Sequence, residues 1–343
     1  MKNKRILIFK IGAIGDVLMT TPFVRQVRKN FPRAKIDYLV GKTAFQVLDG
    51  NRNLDEVVSF DEKIFFKKNI LAMLSLIRQV RKRKYDVVFV MDKHWIFNFI
   101  AFLFGIKERI GFDRLRREGI FLTKKVTYDK VRHEIFYYLD LLKVAGCAVD
   151  YNDYKIDLFL NDNDYFFAEN LWKIYRLNRK KVIGIAPGGG KNPGEKTETR
   201  NWGIKKYIEL IKKLIDKNYF VLLVGGPSDS DKEKKILECL KSKKIISIIG
   251  KSSIKESAAV IKKCDYFVCN DSGPMHIAAA VNKNIISIFG PTNPKRKAPL
   301  YKESHAIWKD KDIYDEKYEL FGKSSSKKFM TRIDVDDVLK YIK

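Results

Sequence analysis

The chain has 343 residues, 45% of them hydrophobic, and its 68 Lys+Arg against 41 Asp+Glu leave a formal net charge of +27. That length favours two domains with sizeable cores over one. The four cysteines, Cys147, Cys239, Cys264 and Cys269, contain no CxxC pair, so a disulfide framework and a zinc site are not supported and the expected compartment is reducing.

The N-terminal stretch MKNKRILIFKIGAIGD lacks a long apolar segment and a small-residue cleavage site, which predicts a cytoplasmic protein. Apolar runs at Ile6–Phe9, Ile36–Val40 and Val87–Met91 read as strands. They alternate with the helix-period stretches DVLMTTPFVRQVRKNF and NILAMLSLIRQVRK, a βαβ pattern. After the first strand comes KIGAIGD, in which Gly12 and Gly15 permit a tight turn and Asp16 opens the next helix. Asp37 follows at about the distance of a ribose-binding acid in a dinucleotide fold. However, GAIG gives GxxG rather than GxGxxG, and Asp37 falls inside its strand. The apolar segment WIFNFIAFLFGI is shorter than the roughly 20 residues of a spanning helix and reads as a buried helix. Its basic neighbours IRQVRKRK and DRLRREG make a membrane-docking surface the alternative.

The segment NDNDYFFAENLWKIYRLNRKK reads as the crossover between halves. Its D-x-D pair, Asp162 and Asp164, is read as helix-capping rather than as a diphosphate–metal motif. Beyond it, Val182–Ala186, Phe220–Val224, Ile245–Ile249, Tyr266–Cys269 and Ile285–Phe289 are nearly continuous in apolar residues, as parallel strands covered on both faces should be. Two doubly wound α/β domains follow, with a short low-complexity loop, GKSSSKK, near the end.

Ligands of open parallel sheets bind beyond the carboxyl ends of the strands. The loop PGGGKNPGEKTETRNW carries Gly188 and Gly189 and delivers Arg200 and Trp202; GGPSDSD carries Gly225 and Gly226. In NDSGPMHIAAA, Asp271 or Ser272 caps a helix, Gly273 allows close approach, Pro274 suits the first turn and His276 lies one turn in. Such loops suggest a phosphate or nucleotide site built from backbone N–H groups and helix ends.

In sequence and order, GAIGDVLMTTP, PGGGKNPGEKTETRNW, VGGPSD and NDSGPMHIAAA…IISIFGPTNP resemble glycosyltransferase family 9, the ADP-heptose:lipopolysaccharide heptosyltransferases, over about residues 5–295. The resemblance implies a GT-B architecture, two Rossmann-like domains facing across a cleft. Residues 1–165 would bind the acceptor and 166–343 the nucleotide-sugar donor, with the C-terminal helix able to pack back on the first domain. It implies inversion at the anomeric carbon, ADP-heptose as donor, no cofactor and no essential metal. Asp16 takes the place of the general base and Arg200 that of a donor-phosphate contact. Asp271, Ser272, Gly273 and His276 occupy the donor motif, beside Gly188, Gly189, Gly225 and Gly226. Gly203 departs from the pattern, in which a proline usually follows the tryptophan; the segment from Tyr301 to Met330 matches less clearly.

The chemistry agrees with those assignments. Transfer from a nucleotide diphosphate builds positive charge on the sugar and negative charge on the departing diphosphate, and the acceptor hydroxyl must lose a proton. For the acceptor, position and charge select Lys10, Gly15, Lys93, Arg114, Arg116, Arg117 and His133. The partners expected are a phosphorylated glycolipid, the lipopolysaccharide inner core, and the anionic inner face of the inner membrane, where the protein would bind peripherally. Another nucleotide sugar is the alternative, ahead of a nucleotide-binding oxidoreductase. A nucleic-acid-binding protein fits the charge, but no reading motif accompanies it.

Overall fold

The computed structural model describes residues 4–66, 69–114, 116–189, 200–316 and 329–343, and the chain divides into two compact units, Met1–Phe159 and Leu160–Lys343. The loop from 190 to 199 and the GKSSSKK loop lie outside the described residues.

In the first unit the elements are β1 (Arg5–Lys10), α1 (Ile14–Leu18), α2 (Thr21–Asn30), β2 (Lys35–Gly41), β3 (Glu56–Phe60), α3 (Lys63–Phe66), α4 (Ile70–Lys82), β4 (Val87–Val90), α5 (Trp95–Leu103), β5 (Glu108–Arg114), β6 (Lys124–Tyr128) and α6 (Glu134–Val144). The six strands form one parallel sheet in the order β3-β2-β1-β4-β5-β6. The second unit runs α7 (Asp162–Ile174), β7 (Val182–Ala186), α8 (Ile204–Asp216), β8 (Phe220–Leu223), α9 (Ser230–Cys239), β9 (Ile245–Ser247), α10 (Ile254–Lys263), β10 (Tyr266–Asn270), α11 (Gly273–Val281), β11 (Ile285–Ile288), α12 (Pro294–Lys297), β12 (His305–Ile307) and α13 (Val335–Leu339). Its parallel sheet has the order β12-β11-β10-β7-β8-β9. Read from the opposite edge, this is the arrangement of the first sheet. Each sheet therefore reverses direction once, between β1 and β4 and between β7 and β10, and those carboxyl ends are the ligand-binding positions of a doubly wound fold.

Central strands form where the sequence is continuously apolar: β4 is VVFV and β7 is VIGIA, buried at every position. Phe9 anchors one core, with ring centroids 5.5 Å from Phe104 and 6.1 Å from Phe97. Burying such a ring contributes roughly 1.5–3 kcal/mol. The strands β3, β5, β6 and β12 have no counterpart among the apolar runs. β6 is KKVTY, exposed at Lys124, Lys125 and Thr127 as befits an edge.

Two further differences have local causes. The expected single helix over DVLMTTPFVRQVRKNF breaks after α1, because Pro22 can begin a helix but not continue one. Thr20 and Thr21 turn their hydroxyls back to the Val17 and Leu18 carbonyls, at 2.7 and 2.8 Å. The division between units falls ahead of residue 165, since the whole of α7 belongs to the second unit. Asn161 and Asp164 form a reciprocal capping box at its start (3.1 and 2.8 Å), so the D-x-D is part of a helix N-terminus. The last helix, α13, seats Val335, Val338 and Leu339 in the core of the second unit.

Candidate functional site

At the end of β1, Lys10 is 3% exposed and its Nζ lies 2.8 Å from Asp92 Oδ1. The other oxygen of Asp92 accepts from the Ile11 N–H at 2.8 Å. Asp92 follows β4 by one residue, the buried Met91, so one carboxylate ties the two strand ends at the point where the sheet reverses. The backbone then turns through Gly12 into α1, where Gly15 is buried and Asp16 half-buried. Ala13, not Asp16, takes the N-cap position of α1, which leaves Asp16 in the first helical turn.

Asp16 faces a group of ionisable side chains. Burial works to lower the Lys10 pKa, but the Asp92 and Asp16 carboxylates outweigh it and the net shift is upward. Lys93 is shifted downward, by burial first; Glu134 and Asp16 oppose the shift and Lys10 adds to it. Burial, reinforced by the Asp16, Glu134 and Asp92 charges, raises the Tyr138 pKa well above its ordinary value. Lys93 Nζ sits 2.6 Å from Glu134 Oε2 and donates to Tyr138 Oη at 3.2 Å, with the Tyr138 and Tyr128 rings at 4.9 and 5.1 Å. Tyr128 donates to the other Glu134 oxygen at 2.5 Å, and Glu134 opens α6, where the helix dipole favours its negative charge.

Of the residues selected for the acceptor, Lys10, Gly15 and Lys93 thus gather with Asp16. His133 caps α6, its Nδ1 accepting from the Ile135 N–H at 3.3 Å. Arg114 pairs with Glu118 at 2.7 Å, while Arg116 and Arg117 are exposed in the connection after β5. Asp92, Glu134, Tyr128 and Tyr138 were not selected. Asp92 carried a usable signal, a carboxylate directly after an apolar strand.

In the second unit the other reversal, between β7 and β10, gathers the glycine loops. A Cβ on Gly188 would lie 2.0 Å from Asp229 Oδ1, and one on Gly225 2.8 Å from Asp229 Oδ2. Only glycine admits that approach. Asp229 is buried, pairs with Lys232 at 3.0 Å and accepts from the Gly226 N–H at 3.3 Å. It packs against the ends of two loops at once, and the sequence reading passed over it although it stands within GGPSDSD. Asn270 donates to the Gly188 carbonyl at 3.1 Å and accepts from the Trp202 N–H at 3.3 Å. Trp202 is buried and bonds the Ile333 carbonyl at 2.9 Å, which anchors the chain just beyond Arg200.

Arg200 Nη1 lies 3.9 Å from Asp271 Oδ2, and Thr292 donates to the same oxygen. Asp271 is 1% exposed and meets both Arg200 and Thr292 through this oxygen. Ser272 occupies the N-cap of α11 but makes no capping bond; its hydroxyl donates to the Asn270 carbonyl at 3.3 Å. Gly273 and Pro274 begin the helix, and Met275, His276, Ala278 and Ala279 are buried. The alanines let α11 lie close on β10 and β11, with its N-terminal amides at the carboxyl end of the sheet. Gly189 is half-exposed at the start of the loop outside the described residues. Among the described residues no group of three or more His, Cys, Asp or Glu is placed to hold a metal ion.

Gly203 has φ of +104°, a value closed to proline, whose ring holds φ near −65°. The chain enters α8 through this glycine in place of the proline usual in the motif.

Residues 73–322 match the model of glycosyltransferase family 9 (heptosyltransferase). Lipopolysaccharide core heptosyltransferase OpsX of Haemophilus influenzae is 26% identical, covering 99% of this chain and 96% of its own length. The solved glycosyl transferase family 9 structure from Veillonella parvula superposes with a TM-score of 0.81 at 22% identity, covering 99% of this chain and 97% of that one. E. coli ADP-heptose lps heptosyltransferase II gives 0.76 at 21% identity, covering 98% and 97%.

Proposed function

The chain belongs to glycosyltransferase family 9, the heptosyltransferases, and on that footing we propose that it moves heptose from ADP-heptose to the phosphorylated inner core of lipopolysaccharide, with inversion and without a metal. It is a glycosyltransferase of GT-B architecture. On this reading the second unit holds the donor and the first the acceptor. The acceptor hydroxyl oxygen attacks the anomeric carbon on the face opposite the diphosphate. The new C–O bond forms as the bond to ADP breaks, Asp16 takes the hydroxyl proton, and ADP leaves with the electron pair.

Arg200 and the positive N-terminal end of α11 supply the field for the leaving group, the work a metal would otherwise do. Preorganised donors of this kind are worth on the order of 3 kcal/mol each. Lys10 and Lys93 stand beside Asp16 on the acceptor side, each paired with a carboxylate, Asp92 and Glu134 respectively. The enzyme works at the cytoplasmic face of the inner membrane, bound peripherally to its anionic surface, with no nucleic acid partner. No described helix is long and apolar enough to cross a membrane.

The observation that carries the reading is that both motif-bearing loops, Gly12–Asp16 and Asn270–His276, lie where their sheets reverse direction. The test is mass-spectrometric detection of transfer from ADP-heptose to a heptose-deficient lipopolysaccharide acceptor, with and without chelator. Chelator-resistant product is expected. No product from folded protein across a series of acceptors would move the assignment to another nucleotide sugar.

A further inference from the structure

Helix α5 places Trp95, Phe99 and Phe102 at positions i, i+4 and i+7, a single stripe, while Asn98, Ile100 and Ala101 face the core. Trp95 is 44% and Phe102 47% exposed. Phe121 extends the stripe, its ring 5.0 Å from Phe99 and 5.6 Å from Phe102, and the neighbouring Ile120 is 82% exposed. Helix α4 lies alongside: Arg81 Nε donates to the Leu103 carbonyl at 2.8 Å near the far ends, and Phe65, just ahead of α4, meets Phe97 at 5.9 Å near the starts. The first turns of α4 expose Ile70, Leu71 (81%) and Leu74. Among the described residues, all the exposed large apolar side chains of the first unit belong to this α4–α5 region. Scattered exposed leucines require no explanation, but an aromatic and aliphatic face on two adjoining helices does.

Cations border this face. Arg109 holds its guanidinium 5.5 Å from the Phe102 ring. Arg78 and Lys82 are exposed on α4, and Arg116 and Arg117 beyond β5. Tryptophan, phenylalanine and leucine beside arginine and lysine match the boundary between lipid headgroups and acyl chains, where aromatic rings and cations anchor together. The helices follow β3 and β4, so the exposed starts of α4 and α5 lie toward the carboxyl end of the sheet, which carries Asp92 and Lys93.

We propose that the α4–α5 face docks on an anionic phospholipid bilayer, with Leu71, Trp95 and Phe102 entering the headgroup–acyl boundary and the bordering arginines meeting lipid phosphates. The proposal rests on the functional reading above in one respect, that the acceptor is lipid-anchored. It explains how the carboxyl end of the first sheet is brought to a substrate confined to a surface.

The test uses the full chain and vesicles without acceptor or donor. One set contains phosphatidylglycerol and phosphatidylethanolamine with brominated acyl chains; the other is phosphatidylcholine. Flotation reads binding, and quenching of tryptophan fluorescence reads insertion. Trp172 and Trp202 are buried and the half-buried Trp308 belongs to the second unit, so Trp95 is the tryptophan of this face and reports its insertion. Wild type is expected to float with the anionic vesicles, to be quenched, and to be released by salt. Trp95→Phe should keep flotation and lose most of the quenching, whereas the double variant Leu71→Ser, Trp95→Ser should bind about tenfold more weakly. The double variant should also retain the wild-type melting midpoint and its transfer to a deacylated, water-soluble acceptor. Equal flotation with phosphatidylcholine, unquenched tryptophan, or a double variant that floats like wild type overturns the proposal. Failure of wild type on the soluble acceptor would count instead against the functional reading, whatever the flotation result.

Discussion

Lys10 and Asp92 meet at 2.8 Å across the ends of β1 and β4, and the same carboxylate holds the Ile11 N–H, so a buried ion pair also fixes the backbone that leads into Asp16. Removing one partner of such a pair leaves an uncompensated charge, at a cost of about 3–5 kcal/mol. Asp92→Ala is expected to lose stability in that range, measured by urea unfolding. The double variant Lys10→Met, Asp92→Leu should recover most of the stability but not the transfer rate. Full recovery of both would show that the pair has only a structural role.

Asp16→Asn keeps the shape of the side chain and removes the proton acceptor. Turnover is expected to fall by about 10²–10⁴-fold, the usual range for a general base, while ADP affinity measured calorimetrically stays within about twofold. Near-wild-type turnover would remove Asp16 from the chemistry.

Arg200→Ala should weaken ADP binding by roughly ten- to a hundredfold, the loss of a charge-assisted contact worth about 1.5–3 kcal/mol. Arg200→Lys should restore only part, because an ammonium lacks the planar fork of the guanidinium. Unchanged ADP affinity in the alanine variant would place the arginine outside the donor site.

Asp37 is fully buried in β2 and accepts from the Tyr85 hydroxyl at 2.7 Å; burial raises its pKa above the ordinary 3.8, against the Tyr85 hydrogen bond and the Lys35 and Arg83 charges. Between 3.8 and its raised value the folded chain holds this proton more firmly than the unfolded chain, so the group's contribution to stability falls as pH rises through that window. Asp37→Asn, which stays neutral and can still accept from Tyr85, is therefore expected to be more stable than wild type at neutral pH, with the advantage shrinking as pH falls toward 3.8. Thermal unfolding across that range checks the sign. Donor binding should not change.

Gly203→Pro installs the residue usual in the motif at a φ of +104° that proline cannot reach. It is expected to cost more than about 1 kcal/mol and to raise the KM for the donor by disturbing the path from Trp202 into α8. A neutral effect on the melting midpoint would mean that the backbone here readjusts freely.

The central strands and the two motif loops were legible because each reports its surroundings locally: VVFV and VIGIA are apolar at every position, and the glycines stand beside strand ends. Edge strands such as KKVTY were not, since one face meets water and lysine there is no penalty. The aromatic enclosure of Lys93 was invisible for another reason. Phe112, Tyr128, Glu134 and Tyr138 come from β5, β6 and α6, and only the sheet order brings them around one amine. Asp229 likewise acquires its role from the missing side chains of Gly188 and Gly225.

The repeated strand order has a consequence for how such a chain can be recombined. Every described ladder closes within its own sheet, β1 to β6 or β7 to β12, and none spans the junction between Phe159 and Leu160. A crossover between related genes at that point would interrupt no strand pairing and would exchange one complete sheet for another. The halves of this chain are, in that sense, separately inheritable parts.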